Sequence, residues 1–370
     1  MSDLSLLLAM RAYLRFGSFT PSMLIMKSFP CPSALQRRTL IGLAAGTLVT
    51  SRMPLALAAG QSLLNVSYDV SREFYKDYNA LFSAHWKKVT GDSVTLNQSH
   101  GGSSKQARSV VDGLEADVLT MNQANDIDVL HDRGKLIPAD WASRLPDNSA
   151  PSTSTSLILV RKGNPRQIRD WDDLGRTGVS VVIPNPKTSG NGRYTYLAAW
   201  GAALKKGVNA TAAQALVRRI FANVPVFDGG GRAATTTFAQ RRIGDALATF
   251  ESEVPLILRE FGTDFEPVYP SWSILAENPV TVVDKVVDRR GTRALAEAYL
   301  RYLWSDEAQE LAARHTLRPR SAKVLAKNAN RFPKLQLFTV DEVFGGWKKA
   351  QKDHFDDGGL YDQITISTRR

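Results

Sequence analysis

Four short stretches hold the groups best suited to chemistry. They are Ser67-Tyr68-Asp69, His100-Gly101-Gly102-Ser103-Ser104, Thr188-Ser189-Gly190-Asn191-Gly192 and Gly229-Gly230-Gly231-Arg232. Each joins a strand-like run to a helical one. A helix start leaves backbone N–H groups unpaired and carries about half a positive charge. Glycine lets an anion approach the backbone closely, and serine adds a hydroxyl donor. Four such starts aimed at one point would supply roughly +2 of partial charge. That suits a small dianion held without lysine or arginine in contact. Any single turn of this kind is also ordinary N-cap chemistry. The anion reading therefore depends on the four meeting in space.

Other chemistries find less support. The P-loop spacing G-x-x-x-x-G-K-[ST] is missing, and no G-x-G-x-x-G opens a βαβ unit. Neither H-E-x-x-H nor G-x-S-x-G occurs. The five histidines, at positions 85, 100, 131, 315 and 354, are scattered, so no metal site is expected. One enzymatic alternative stays open: an exported sulfate- or phosphate-ester hydrolase with Ser103 or Ser189 as nucleophile and His100 as base.

The elements that must position these residues alternate. Strands are expected over 63–68, 93–96, 116–121, 155–160, 179–183, 224–227, 245–250 and 281–287. Helices are expected over 71–88, 104–114, 126–133, 170–174, 212–222, 233–242, 292–304 and 306–313, with another ending at Lys206 after the Ser189 turn. Helical spacing of apolar residues and β-branched runs carry these assignments. Alternation of this kind indicates an α/β fold with mainly parallel sheets. Two lobes are expected, the first from 59–155 and 280–370, the second from 156–279. Their seam is the default place for a ligand.

At 370 residues the chain can build two cores. With 43% apolar and 22% charged residues it falls outside the disordered and collagen-like classes. The net charge is +11, and six basic residues against one acidic precede residue 59. The rest keeps a moderate positive surplus, which suits an anionic ligand or surface. No run of five Lys or Arg occurs, so nucleic acid is not an expected partner.

Residues 1–58 read as an export leader. Gln36-Arg37-Arg38-Thr39-Leu40-Ile41 opens an apolar stretch ending in Ala56-Leu57-Ala58, a small-x-small cleavage site. Cleavage is expected after Ala58, which delivers the protein to the periplasm. Arg37-Arg38 fits a twin-arginine route, with the general secretory route as the alternative. Arg52 and Pro54 argue against a retained anchor. Cys31 lies in the leader, so the mature chain is expected without disulfide or thiol chemistry.

The blocks LLNVSYDVSREFY, QSHGGSSKQA, LPDNSAP, LVRKGNP, NPKTSGNGRYTYLAAWG, TTTFA, SILAENPVTVVDKVV and FGGWKKAQKDHF follow in that order. Together they resemble the periplasmic sulfate- and thiosulfate-binding proteins of ABC importers, from about residue 63 to about residue 364. The resemblance implies a two-lobed type II periplasmic binding protein with the anion in the inter-lobe cleft. It implies a monomer that is not an enzyme, needs no cofactor, and hands sulfate or thiosulfate to a membrane ABC permease. It further implies that Asp69, Ser103, Gly190, Asn191 and Gly231 offer backbone N–H groups. Ser189 would offer its hydroxyl, and Arg193 and Arg232 would back the site through hydrogen-bond relays. Where sulfate-specific members have glycine and a tryptophan indole, this chain has Asn191 and Phe250. A phenylalanine edge suits a terminal sulfur better than an indole does, which favours thiosulfate.

Overall fold

The computed structural model describes residues 61–368, all in one compact unit. The leader, its cleavage site and Cys31 lie outside the described residues. Eleven strands occur among them. They are β1 (Gln61–Tyr68), β2 (Val94–Gly101), β3 (Val118–Thr120), β4 (Ser152–Arg161), β5 (Val181–Val182) and β6 (Ala246–Phe250). Then come β7 (Phe265–Val268), β8 (Trp272–Glu277), β9 (Val280–Val282), β10 (Arg318–Pro319) and β11 (Gln336–Phe338).

They form two sheets. The first has the order β2-β1-β3-β9, with β1 parallel to β2 and β3, and β9 antiparallel. The second has the path β11-β8-β4-β6-β5. In it β5/β6 and β8/β11 are parallel, while β4 runs antiparallel to β6, β7, β8 and β10. β4 is buried along nearly its whole length. Some of its polar groups are paired there: Thr155 Oγ1 donates to the Ile274 carbonyl, and Ser273 Oγ donates to the Ser156 carbonyl, whereas the Ser154 and Ser156 hydroxyls have no partner among the described residues. This is the two-lobed α/β architecture of the type II periplasmic binding proteins.

The chain passes between the sheets before β4, between β8 and β9, and again on the way to β10. Two of these crossings are tied together. The Asn278 N–H donates to the Ser152 carbonyl at 3.1 Å, and Asn278 Nδ2 donates to Ser152 Oγ at 3.1 Å. From the first lobe, Tyr68 Oη donates to Asn278 Oδ1.

Four expectations differ from the structure. The second sheet is mixed rather than mainly parallel, because β4 runs antiparallel to four neighbours. No strand forms over 224–227, because Pro225 has no N–H for a ladder. The β-branched run 281–287 splits into short β9 and helix Asp284–Arg290. That helix has an acidic first turn, two arginines in its last turn and Gly291 in the left-handed region (φ 66) as its cap. Finally, the chain from β11 onward packs on the second sheet, although 280–370 was expected with the first lobe; the stretch before it, helix Ala322–Lys327, packs on helix Asp306–Arg314. β11 pairs with β8, and Phe338, Phe344 and Phe355 join the second core. Gly201 explains the docking: the Phe338 ring occupies the place where its Cβ would be.

Candidate anion site at the lobe seam

The site is built at the carboxyl ends of strands. β1 runs into Asp69, β2 into Gly102-Ser103, β3 into Asn122, β5 toward Ser189, and β6 ends in Phe250. The Gly229-Gly230-Gly231 turn follows no strand, and the helix it opens, Gly231–Thr235, is only five residues long. By contrast, helix Gly190–Lys205 has 16 residues, and its first 14 are buried. Ser189 caps it, accepting from the Gly192 N–H at 3.4 Å. The Gly190 and Asn191 amides occupy its first two positions, where no helical acceptor stands behind them.

The four stretches meet, and all four take part in contacts across the seam. A Cβ on Gly102 would lie 2.6 Å from the Gly229 carbonyl oxygen and 2.7 Å from that of Thr188. A Cβ on Gly231 would lie 2.9 Å from both Val70 Cγ1 and Asn191 Nδ2. The Gly230 Cα packs on the Asp69 carboxylate, and Gly190 packs on the Asn122 amide. Only residues without a Cβ permit such approaches.

Asp69 does more than the sequence suggested. Its Oδ2 accepts from the Arg232 N–H at 2.9 Å across the seam, and its Oδ1 accepts from Val70 N–H at 3.0 Å. Burial raises its pKa, against the pull of the N–H groups of Arg232, Val70 and Asp69 itself. Beside it lies Glu253, 1% exposed, with Oε1 unpaired. Burial pushes this carboxyl up to about 8, although Arg232 opposes the shift. The Arg232 guanidinium is committed to Glu260 at 2.7 Å and reaches Glu253 at 4.0 Å.

Arg193 is also committed. Its Nε donates to the Pro186 carbonyl at 3.0 Å and its Nη1 to Asp126 Oδ1 at 3.2 Å. Burial lowers its pKa, and the Asp126 carboxylate works against that. Asp126 Oδ2 accepts in turn from Ser103 Oγ and from Gln123 Nε2. A relay thus runs from Ser103 through Asp126 to Arg193, joining both lobes. Asn191 Nδ2 donates to Thr249 Oγ1 at 3.1 Å, which pins the residue beside the end of β6. Phe250 is 2% exposed and lies in the second core, its ring edge-on to Tyr194 at 5.7 Å.

The hydrolase alternative is overturned. His100 touches neither serine. Its Nδ1 lies 3.0 Å from the Tyr68 carbonyl and its Nε2 2.7 Å from the Gln98 amide. Ser103 Oγ donates a hydrogen bond to Asp126, and Ser189 Oγ caps its own helix. No histidine stands beside either hydroxyl among the described residues, and the Asp126 carboxylate beside Ser103 is held by Arg193.

Sequence reasoning missed Asp126, Asn122, Gln123 and Glu253. The signal available for the first three was the polar run Asn122-Gln123-Ala124-Asn125-Asp126 directly after a buried strand end. Glu253 gave none, because its environment is assembled from distant segments.

A two-lobed α/β protein with helix starts converging at the seam is a solute-binding protein by architecture. The family model described as bacterial extracellular solute-binding protein matches residues 64–318. The chain is 61% identical to the thiosulfate-binding protein of Pseudomonas aeruginosa over 310 residues, covering 84% of this chain and 93% of that one. It is 58% identical to the sulfate-binding protein of Salmonella typhimurium over 311 residues, covering 84% and 94%. Among solved structures it is similar to the sulfate-binding protein SubI of Mycobacterium tuberculosis H37Rv. The TM-score is 0.73 at 31% identity, over 80% of this chain and 100% of that one. The chain therefore belongs to the bacterial extracellular solute-binding proteins, in the group that holds the sulfate- and thiosulfate-binding proteins.

Proposed function

We propose that this protein is the extracytoplasmic receptor of an ABC importer, capturing sulfate or thiosulfate between its lobes. The observation that carries the reading is the meeting of the four stretches at one seam, with both nearby guanidinium groups committed to carboxylates. The Ser103, Gly190, Asn191 and Gly231 amides and the Ser189 hydroxyl are the donors. The Asp69 amide is a weaker candidate, since its own carboxylate draws on it. Arg193 and Arg232 act through the residues they hold, and Phe250 closes the apolar side. The lobes divide near 155 and 279, with the segment from β11 onward belonging to the second. The leader is cut after Ala58, the mature protein works in the periplasm as a monomer, and a membrane permease receives the anion.

A site made of donors satisfies a fully ionised tetrahedral dianion. Hydrogen phosphate brings an O–H that needs an acceptor, and leaving it unpaired costs about 1–3 kcal/mol. Calorimetric titration with sulfate, thiosulfate, molybdate and phosphate tests this. One anion per chain is expected for sulfate and thiosulfate, with phosphate far weaker near pH 7. Silence toward both sulfur oxyanions would refute the reading, and phosphate competing at equal concentration would refute its selectivity.

A further inference from the structure

Asn122 follows β3 in the first lobe and is 2% exposed. Its side chain lies flat against Gly190, the first residue of the 16-residue helix in the second lobe. A Cβ there would sit 2.7 Å from Asn122 Cγ and 2.9 Å from Nδ2, and closer still to Oδ1. Yet Oδ1 is buried and accepts no hydrogen bond among the described residues. A buried, unpaired acceptor is costly, and proteins rarely keep one. This one lies against a helix start whose first two amides have no acceptor within the helix.

Resting on the receptor reading, we propose that Asn122 is a further anion-contacting residue, whose amide donates from the first lobe to the oxyanion held at the Gly190 helix start. The last torsion of asparagine is broad and two-fold, so turning the amide to present Nδ2–H costs little. The contact exists only when the lobes are shut, since Asn122 and Gly190 come from different sheets. Asn122 therefore adds affinity to the closed state alone, which couples capture to closure.

The test is titration of wild-type protein, Asn122→Ala and Asn122→Asp with sulfate and with thiosulfate, alongside anion-free melting curves. Loss of one charge-assisted hydrogen bond should weaken N122A at least about tenfold. N122D keeps the shape but sets a carboxylate against the incoming anion, so its loss should exceed that of N122A. Anion-free melting temperatures of N122A and wild type should agree, which separates contact from fold support. N122A binding both anions within twofold of wild type, or more tightly, would overturn the inference alone. Failure of wild type to bind either anion would remove the receptor reading and this proposal together.

Discussion

The Asp126 carboxylate and the Arg193 guanidinium meet at 3.2 Å, with side-chain exposures of 2% and 6%. One comes from the helix after β3, the other from the helix after β5. Removing one partner of a sealed ion pair strands the other charge, at a cost of about 3–5 kcal/mol. Asp126→Asn and Arg193→Met should each lower stability by that order. The double variant should lose clearly less than the sum, because nothing is then left stranded. Urea unfolding of the four proteins decides it, and simple additivity would contradict the pairing.

At Gly102 the lobes approach backbone to backbone. Its absent Cβ would press on two backbone carbonyls, at 2.6 and 2.7 Å. Backbone cannot swing aside as a side chain can. Gly102→Ala should therefore obstruct closure and weaken anion binding by about 1–3 kcal/mol, the usual scale of overpacking. The anion-free protein should melt close to wild type. Calorimetry and small-angle scattering with and without anion would show it; an unchanged affinity and a normal compaction would exclude the effect.

Glu253 links stability to pH. Its carboxyl, ordinarily at 4.5, is pushed to about 8 by burial. Between those values the folded protein keeps a proton that the unfolded chain has released. Stability from this group is thus lost as pH rises from about 4.5 to about 8, on the order of a few kcal/mol. Asp69, Glu260 and Arg232 are the charged groups acting on it. Glu253→Gln keeps the neutral form and should flatten that slope. Unfolding midpoints at pH 5.5 and 8.5 test this, and parallel losses in both proteins would count against it.

His354 responds in the opposite sense. It sits in an aromatic nest of Tyr196, Trp200, Phe344 and Phe355, with Nδ1 3.0 Å from the Tyr196 hydroxyl. Burial lowers its pKa from 6.5 to about 4. The unfolded chain takes up the proton first, so stability is lost as pH falls from 6.5 toward 4, by roughly 3 kcal/mol. His354→Gln should remove most of that dependence. Protection of the 340–368 segment from hydrogen exchange, compared at pH 7 and pH 5, reports on it directly; equal acid loss in both proteins would rule it out.

Most of the site could be read before folding was considered. Ser189 and Ser305 announce helix starts by type and position, and both side chains accept from the amide three residues on. Gly190, Gly231 and Gly102 stand out because such turns need residues that allow close approach. Asp69 and Arg232 were legible as neighbours of those turns, but their mutual hydrogen bond was not, since they lie 163 positions apart. Phe250 was legible as a strand end, while its place against Tyr194 was not. The strand expected over 224–227 failed for a local reason, Pro225, that outweighed its apolar pattern.

Local chemistry needs only neighbours along the chain, so caps, glycine turns and apolar periodicity were settled by the amino-acid order itself. That order determined an α/β protein carrying four helix starts suited to an anion. Convergence belongs to a different class of fact. Whether those starts share one seam, whether Arg193 finds Asp126, and whether Glu253 keeps its proton depend on segments brought together by two sheets and three crossings. Only the packed structure decided them, because dielectric, distance and steric fit exist only once distant segments touch.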